Sequence, residues 1–199
     1  SRIMTNEKLF ELYKRLESEF AALIGPVRFR ASINLRLERI AHLLELLGNP
    51  HRSFPAIHIG GTSGKGSTAT IAATILAEAG YKTGLHLSPH LQILNERHQI
   101  NNQVAATSRL VELFDDIRPA IASVKAENPF GGPSYFEVMV ALAYYLFQRE
   151  AVDVAVVEVG LGGSIDATNV IESQVAILTN VGLDHTAILG DTIEEIITD

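Results

Sequence analysis

The stretch Ala56-Ile57-His58-Ile59-Gly60-Gly61-Thr62-Ser63-Gly64-Lys65-Gly66-Ser67-Thr68 decides how the rest of the chain is read. A short run of strand character enters a glycine-rich turn, and a helical pattern follows to about Ala79, closed by Gly80. Strand, glycine-rich loop and helix in that order make a phosphate cradle. Glycines let successive N–H groups face inward, the helix N-terminus adds positive potential, and a lysine reaches the outer phosphates. The spacing departs from the common G-x-x-x-x-G-K-[ST] string. Ile59 stands where the first glycine would be, and Gly66 separates Lys65 from Ser67. A turn shaped by sterics alone needs neither Lys65 nor the hydroxyls of Ser67 and Thr68. The loop therefore reads as a seat for the phosphates of ATP, with Lys65 on the β- and γ-phosphates.

On the N-terminal side, Leu9, Leu12, Tyr13, Leu16, Phe20 and Leu23 recur at helical spacing until Gly25-Pro26. A second helix is expected from about Leu37 to Leu47, closed by Gly48-Asn49-Pro50. Residues 1–50 thus form a helical lead-in. On the C-terminal side, Thr83–Leu87 reads as a strand and Ser88–Gln103 as a polar loop. Val104–Ala126 reads as a helix interrupted near Pro119, and Ser134–Arg149 as a helix with an apolar body. Asp153–Val159 and Gln174–Thr179 lack alternation, which predicts strands buried on both faces. Thr192–Thr198 opens a further helix. Buried strands alternating with helices predict an α/β domain, a P-loop NTPase-like parallel sheet with helices on both faces.

In such sheets ligands bind beyond the carboxyl ends of the strands. Polar clusters stand there at Gly60–Ser67, Ser88–His90, Glu158–Asp166 and Asp184-His185. Glu158, at the tip of a buried strand, is placed to orient Mg²⁺, which prefers hard oxygen ligands. Ser88 offers a hydroxyl and His185 an imidazole nitrogen from two other strand ends. Each signal alone is weak, since strand-end acids are often only solvated and the chain has 7 His. Gly160-Leu161-Gly162-Gly163-Ser164-Ile165 begins like a dinucleotide fingerprint, but its last glycine is missing and no clear helix follows.

Composition bounds the alternatives. The 199 residues carry 47% hydrophobic and 20% charged side chains, the balance of a globular chain. The net charge is −7 with histidine neutral, which is not the footprint of a nucleic-acid binder. There is no cysteine, which excludes disulfides and thiolate metal sites. The longest apolar run, Val138–Phe147, is too short to span a membrane, and no signal-peptide pattern opens the chain. A cytoplasmic protein without membrane or nucleic-acid partners is the expectation.

Several separated motifs resemble the folylpolyglutamate synthase/dihydrofolate synthase family within the Mur ligase superfamily, from about Val27 onward. They are Leu47-Gly48-Asn49-Pro50, Gly61–Ser67, Ser88-Pro89-His90-Leu91 with Glu96-Arg97, and Tyr135-Phe136-Glu137. Glu158–Gly163 with Asp166-Ala167-Thr168-Asn169-Val170, Gly182-Leu183-Asp184-His185-Thr186 and Leu189-Gly190-Asp191-Thr192 complete the set. The resemblance implies a Mur ligase central-domain fold and an ATP-dependent amide ligase that adds glutamate to a folate or dihydropteroate carboxylate. It implies that Gly61, Thr62, Ser63, Gly64, Lys65, Gly66, Ser67 and Thr68 bind ATP, and that Ser88, Glu158 and His185 coordinate Mg²⁺. Lys65, Glu158 and His185 would carry catalysis, and Phe136 and Asp166 would meet the pterin substrate. Without the resemblance, Phe136 reads as a core aromatic on an apolar helix. His90 is read as structural.

Ser63 and Ser164 stand where the family usually has Asn and Arg, and His98 and Asn102 replace an apolar residue and a Gly. The family's C-terminal domain and a lysine motif are not in this sequence. The expectation is an N-terminal ATP-binding domain over 1–199, cut short, that does not turn over alone and is a monomer at full length. Two alternatives remain beside it: another Mur-type ligase acting on a cell-wall precursor, and a nucleotide-binding module without ligase chemistry.

Overall fold

The structure, a computed structural model, describes residues 5–24 and 37–198. The expected helix stop at Gly25-Pro26 and the first residues of the family resemblance lie outside them. In chain order the elements are α1 (Asn6–Ala21), α2 (Leu37–Leu46), β1 (Ala56–Gly60), α3 (Lys65–Glu78), β2 (Thr83–His86), β3 (His98–Ile100) and β4 (Gln103–Val104). There follow α4 (Thr107–Glu127), α5 (Tyr135–Arg149), β5 (Val154–Glu158), β6 (Val175–Leu178), α6 (Thr186–Leu189) and α7 (Ile193–Thr198). The strands form one sheet in the order β4-β3-β2-β5-β1-β6. β2, β5, β1 and β6 are parallel, and β3 and β4 add an antiparallel edge.

That edge corrects the reading of Ser88–Gln103 as loop throughout. The segment turns through a 3-10 helix at Leu94–Arg97 and then pairs β3 with β2, from Gly84↔Ile100 to His86↔His98. Local polarity hid the strand, because its side chains are held by tertiary contacts rather than by an alternating apolar face. Val104 belongs to β4 and not to the following helix. α4 runs unbroken through Pro119, whose ring faces solvent; there the carbonyl that loses its N–H partner is free to meet water. β6 differs too. It was expected to be buried on both faces, yet Val175 is 47% and Leu178 63% exposed. Among the described residues it is the edge strand opposite β4.

The core lies in two layers. Ala155 and Val157 of β5 point into the larger one with α1, α2, α4 and α5. Val156 points the other way and packs with Ile59, Leu85, Ala69 and Ala73 beneath α3. Successive strand residues face opposite sides of a sheet. Glu158, two residues on from Val156, therefore comes out on the α3 side. Among the described residues no helix is long and apolar enough to cross a membrane.

α5 is buried almost throughout, from Glu137 to Phe147. Ser134 and Glu137 start it with a reciprocal capping box, satisfying two donors that a helix start otherwise leaves open. The same Glu137 carboxylate accepts the Arg39 Nε–H at 3.1 Å, with both side chains buried, and so ties α2 to α5. Breaking a buried pair strands the surviving charge, which costs about 3–5 kcal/mol. Arg39→Met is therefore expected to lower unfolding free energy by about that much in urea titration. A loss below about 1 kcal/mol, the size of a surface pair, would show that the pair is not load-carrying in α2–α5 docking.

Candidate functional site

Gly64 adopts a left-handed conformation at φ 77° and α3 begins at Lys65, so the first free N–H groups of α3 open toward the loop. The loop is held from the carboxyl end of β6. Thr179 donates its hydroxyl to the Ser63 carbonyl at 2.7 Å. The Asn180 amide accepts the Ser63 N–H at 2.9 Å and donates to Ser63 Oγ at 2.8 Å. Thr62 donates its backbone N–H to the Asn180 carbonyl at 3.0 Å, and its Oγ accepts the Gly182 N–H at 2.8 Å. Contact this close needs a glycine. A Cβ on Gly61, whose φ is +131°, would stand 2.1 Å from Thr179 Oγ.

Lys65 Nζ donates to the Gly61 carbonyl at 2.7 Å, so the ammonium lies folded over its own loop. The loop borders a cavity of about 490 Å³ lined by Gly60–Thr62, Lys65, Val159–Ser164, Asn180, Asp184 and His185. Glu158 lies under the first turn of α3. Its carboxylate oxygens would stand 3.3–3.4 Å from a Cβ on Gly66. Oε2 accepts the Ser88 N–H at 2.7 Å. Burial raises the Glu158 pKa above the usual carboxylate range, opposed by the Ser88 N–H and the nearby charges of Lys65 and Arg97.

His185 is exposed at φ 48°, its N–H donating to Asp184 Oδ1 at 2.8 Å. It shares the large cavity with Lys65, and no hydrogen bond or ion pair joins it to Ser88 or Glu158. Ser88 lines a second cavity, of about 350 Å³, with Arg97, Phe136, Asp166 and the apolar Leu161, Ile165 and Ala167. Gly160 and Leu161 line both cavities. Of the sequence-read residues, Gly61, Thr62, Lys65 and His185 thus line one cavity, and Ser88, Phe136 and Asp166 the other, while Ser63, Gly64, Gly66, Ser67 and Thr68 line neither. Glu158 joins them through Ser88 on one side and through the electrostatic reach of Lys65 on the other.

Asp166 is committed to its own backbone. Oδ2 accepts the Leu161 N–H at 2.8 Å, and Oδ1 accepts the Thr168 N–H at 2.9 Å and also the Thr168 hydroxyl. Thr168 Oγ in turn meets His58 Nε2 at 2.8 Å. Burial lowers the His58 pKa, opposed by the nearby Asp166 charge, and so favours the neutral imidazole. Gly160 has no side chain because Phe136 and Asp166 occupy the space: a Cβ there would lie 2.5 Å from Phe136 Cζ. Asp166 therefore shapes the partition between the cavities. His90 accepts the Arg97 Nε–H on Nδ1 at 2.9 Å, a structural contact.

Sequence reasoning missed Thr179 and Asn180, although the strand-end rule that picked Ser88 and His185 also applies to them. It also gave Arg97 no role. Among the described residues no three His, Asp or Glu side chains converge as a metal cluster. A cation held by Ser88, Glu158 and His185 would be completed by water and phosphate oxygens, and the one buried carboxylate among them suits Mg²⁺.

The Mur ligase middle domain description matches residues 59–199, more than half of the sequence. This chain belongs to that family. It is 42% identical over 164 residues to the dihydrofolate synthase/folylpolyglutamate synthase of Mycobacterium tuberculosis, a match covering 79% of this chain and 34% of that protein. Its fold superposes on the M. tuberculosis folylpolyglutamate synthase complexed with ADP with a TM-score of 0.85 at 37% identity, covering 94% of this chain and 41% of that one. A folylpolyglutamate synthase complex with AMPPCP and folate gives a TM-score of 0.84 at 38% identity, covering 92% of this chain and 44% of that one. This chain thus spans about a third of the length of that curated relative.

Glu158 supplies a test with a defined sign. Its folded pKa is raised, so the folded state holds that proton more tightly than the unfolded chain does. The ionised form then costs stability at neutral pH, and the cost fades as pH falls through the raised pKa. Glu158→Gln keeps an acceptor for the Ser88 N–H. It is expected to melt at or above the wild-type temperature at pH 7.5, with the gap closing toward pH 5. A gap that widens on acidification would contradict the assignment.

Proposed function

We propose that this chain is the nucleotide-binding part of an ATP-dependent ligase that joins glutamate to the carboxylate of a folate or dihydropteroate. The observation that carries the proposal is the shared partition. Gly160 and Leu161 line both cavities, so a nucleotide on the Gly61–Ser67 loop and an organic acid in the smaller cavity would meet across one backbone. The related folylpolyglutamate synthase solved with both AMPPCP and folate supports the same pairing of ligands.

A carboxylate resists attack by an amine because its charge repels the nucleophile and oxide is a very poor leaving group. Phosphorylation solves both problems. A carboxylate oxygen attacks the γ-phosphorus, ADP departs, and the acyl phosphate forms. The glutamate amine then attacks the acyl carbon, phosphate leaves with the bonding electrons, and the ammonium proton is lost. Catalysis of the first step is mostly positioning and charge neutralisation. The Gly61–Thr68 loop would seat the phosphates through the N–H groups at the α3 N-terminus, those of Thr62 and Ser63 being spent on Asn180, and Lys65 would exchange its loop carbonyl partners for them. Ser88, Glu158 and His185 would hold Mg²⁺, which when bound offsets phosphate charge. No side-chain nucleophile is required. The partners are small molecules: ATP, glutamate and the pterin acid.

Lys65→Ala is expected to weaken binding of a non-hydrolysable ATP analogue by roughly tenfold or more in calorimetry. It should also abolish amide formation by the full-length protein given ATP, glutamate and a pteroate. Unchanged affinity and turnover in that variant would remove the loop assignment. ADP release without amide product in the wild type would favour a nucleotide-binding module instead.

A further inference from the structure

Arg97 is a buried cation with nothing anionic in its grip. It is 7% exposed and sits at the end of the Leu94–Arg97 turn. Its backbone is fixed, the carbonyl accepting the Leu87 N–H at 3.2 Å and meeting His86 Nδ1 at 3.0 Å. Its Nε–H is spent on His90 Nδ1, and its guanidinium lies 5.9 Å from the Tyr135 ring centroid. The two terminal nitrogens donate to no residue among those described. The neighbouring Glu96 does not pair with it, because that carboxylate accepts the N–H groups of Leu91, Gln92 and Ile93 at 2.7, 3.0 and 3.0 Å. A desolvated guanidinium without a carboxylate partner is costly, and an anion delivered by a ligand would offset that cost.

The smaller cavity shows where that ligand would lie. Arg97 is the one cation among its described lining residues. The two acids in the lining are already engaged: Asp166 by Leu161 and Thr168, and Glu137 by Arg39 and the Ser134 N–H. Phe136, Leu161, Ile165 and Ala167 supply apolar wall. Ser88 and Arg97 stand at the cavity, Ser88 bonded to Glu158 through its N–H and Arg97 in electrostatic reach of the same carboxylate. The anion site therefore lies at the end of the cavity that approaches the α3 side of the sheet.

We infer that Arg97 grips the carboxylate of the acceptor, an aromatic acid whose flat body lies along the apolar wall. This rests on the ligase reading above and adds the residue that selects an acid over a neutral molecule of the same shape. A guanidinium suits the task because its planar fork matches both carboxylate oxygens, whereas a lysine would present one point charge. The rigid backbone and the His90 contact hold the fork in place before the ligand arrives, which lowers the ordering cost of binding.

The test is calorimetric titration of the full-length protein with pteroate, with its decarboxylated analogue, and with a non-hydrolysable ATP analogue. Arg97→Gln should weaken pteroate binding by roughly tenfold to a hundredfold, the range for a hydrogen-bonded charge. It should leave the decarboxylated analogue and the ATP analogue within about twofold of wild type. Arg97→Lys, which keeps the charge, should lose pteroate affinity to a smaller degree, and it carries the comparison if the Gln variant does not fold. Equal weakening of pteroate and its decarboxylated analogue would mean that Arg97 only shapes the wall, and would overturn the inference. So would unchanged pteroate affinity, or a loss confined to the ATP analogue. Wild-type protein that binds the ATP analogue but neither pterin probe would instead overturn the acceptor assignment made above, and this inference with it.

Discussion

Glu158 loses its hydration when β5 is covered from both sides, and the fold spends much of its local organisation on offsetting that loss. The Ser88 N–H is bonded to the carboxylate, and Lys65 and Arg97 bring positive charge toward it. Those groups come from the ends of different elements: Ser88 beyond β2, Lys65 at the start of α3 and Arg97 at the turn before β3. Remove the buried acid and no single reason remains for all of them to converge. Keep it, and the glycine-rich loop, the hydroxyl of Ser88 and the guanidinium are gathered at one edge of the sheet.

Parallel pairing makes that convergence possible. β1 and β5 run side by side with Ile59 opposite Glu158, so the loop leaving β1 rises directly above the acid. β6 flanks β1 with Gly60 opposite Leu178, which brings Thr179 and Asn180 against the loop from the other side. The loop is thus braced by hydrogen bonds from an adjacent strand end rather than by its own sequence. Such bracing keeps donors aimed before a ligand binds, and a preorganised polar site loses little on reorganisation when charge arrives.

The two cavities share one wall, and its architecture explains residues that would otherwise look catalytic. Asp166 spends both carboxylate oxygens holding Leu161 and Thr168, and Thr168 passes that constraint to His58 of β1. Gly160 lets the Phe136 ring and the Asp166 carboxylate press against the same backbone. Positions that line a cavity can therefore matter through the wall they build. The extension of the sheet by β3 and β4 plays a related part, since it places the Leu94–Arg97 turn beside Ser88.

Local pattern was enough for the frame. The glycine-rich turn between an apolar strand and a helix, the unbroken apolar run of β5 and the strand-end positions of Ser88, Glu158 and His185 are all readable in one dimension, because each depends on neighbours a few residues away. β3, the exposure of β6 and the passage of α4 through Pro119 were not, since a short polar strand, an edge position and a solvent-facing proline are defined by what lies across the sheet or outside the helix. The amino-acid order by itself settled the α/β class and the family, and it singled out the Gly61–Thr68 loop as the candidate phosphate seat. Only the folded chain decided that Asn180 clasps Ser63, that Asp166 is occupied by its own loop and that Arg97 has no carboxylate hydrogen-bonded to it. Each of those depends on hydrogen bonds or charges between residues far apart in sequence, whose distances exist only once the strands have taken their order in the sheet.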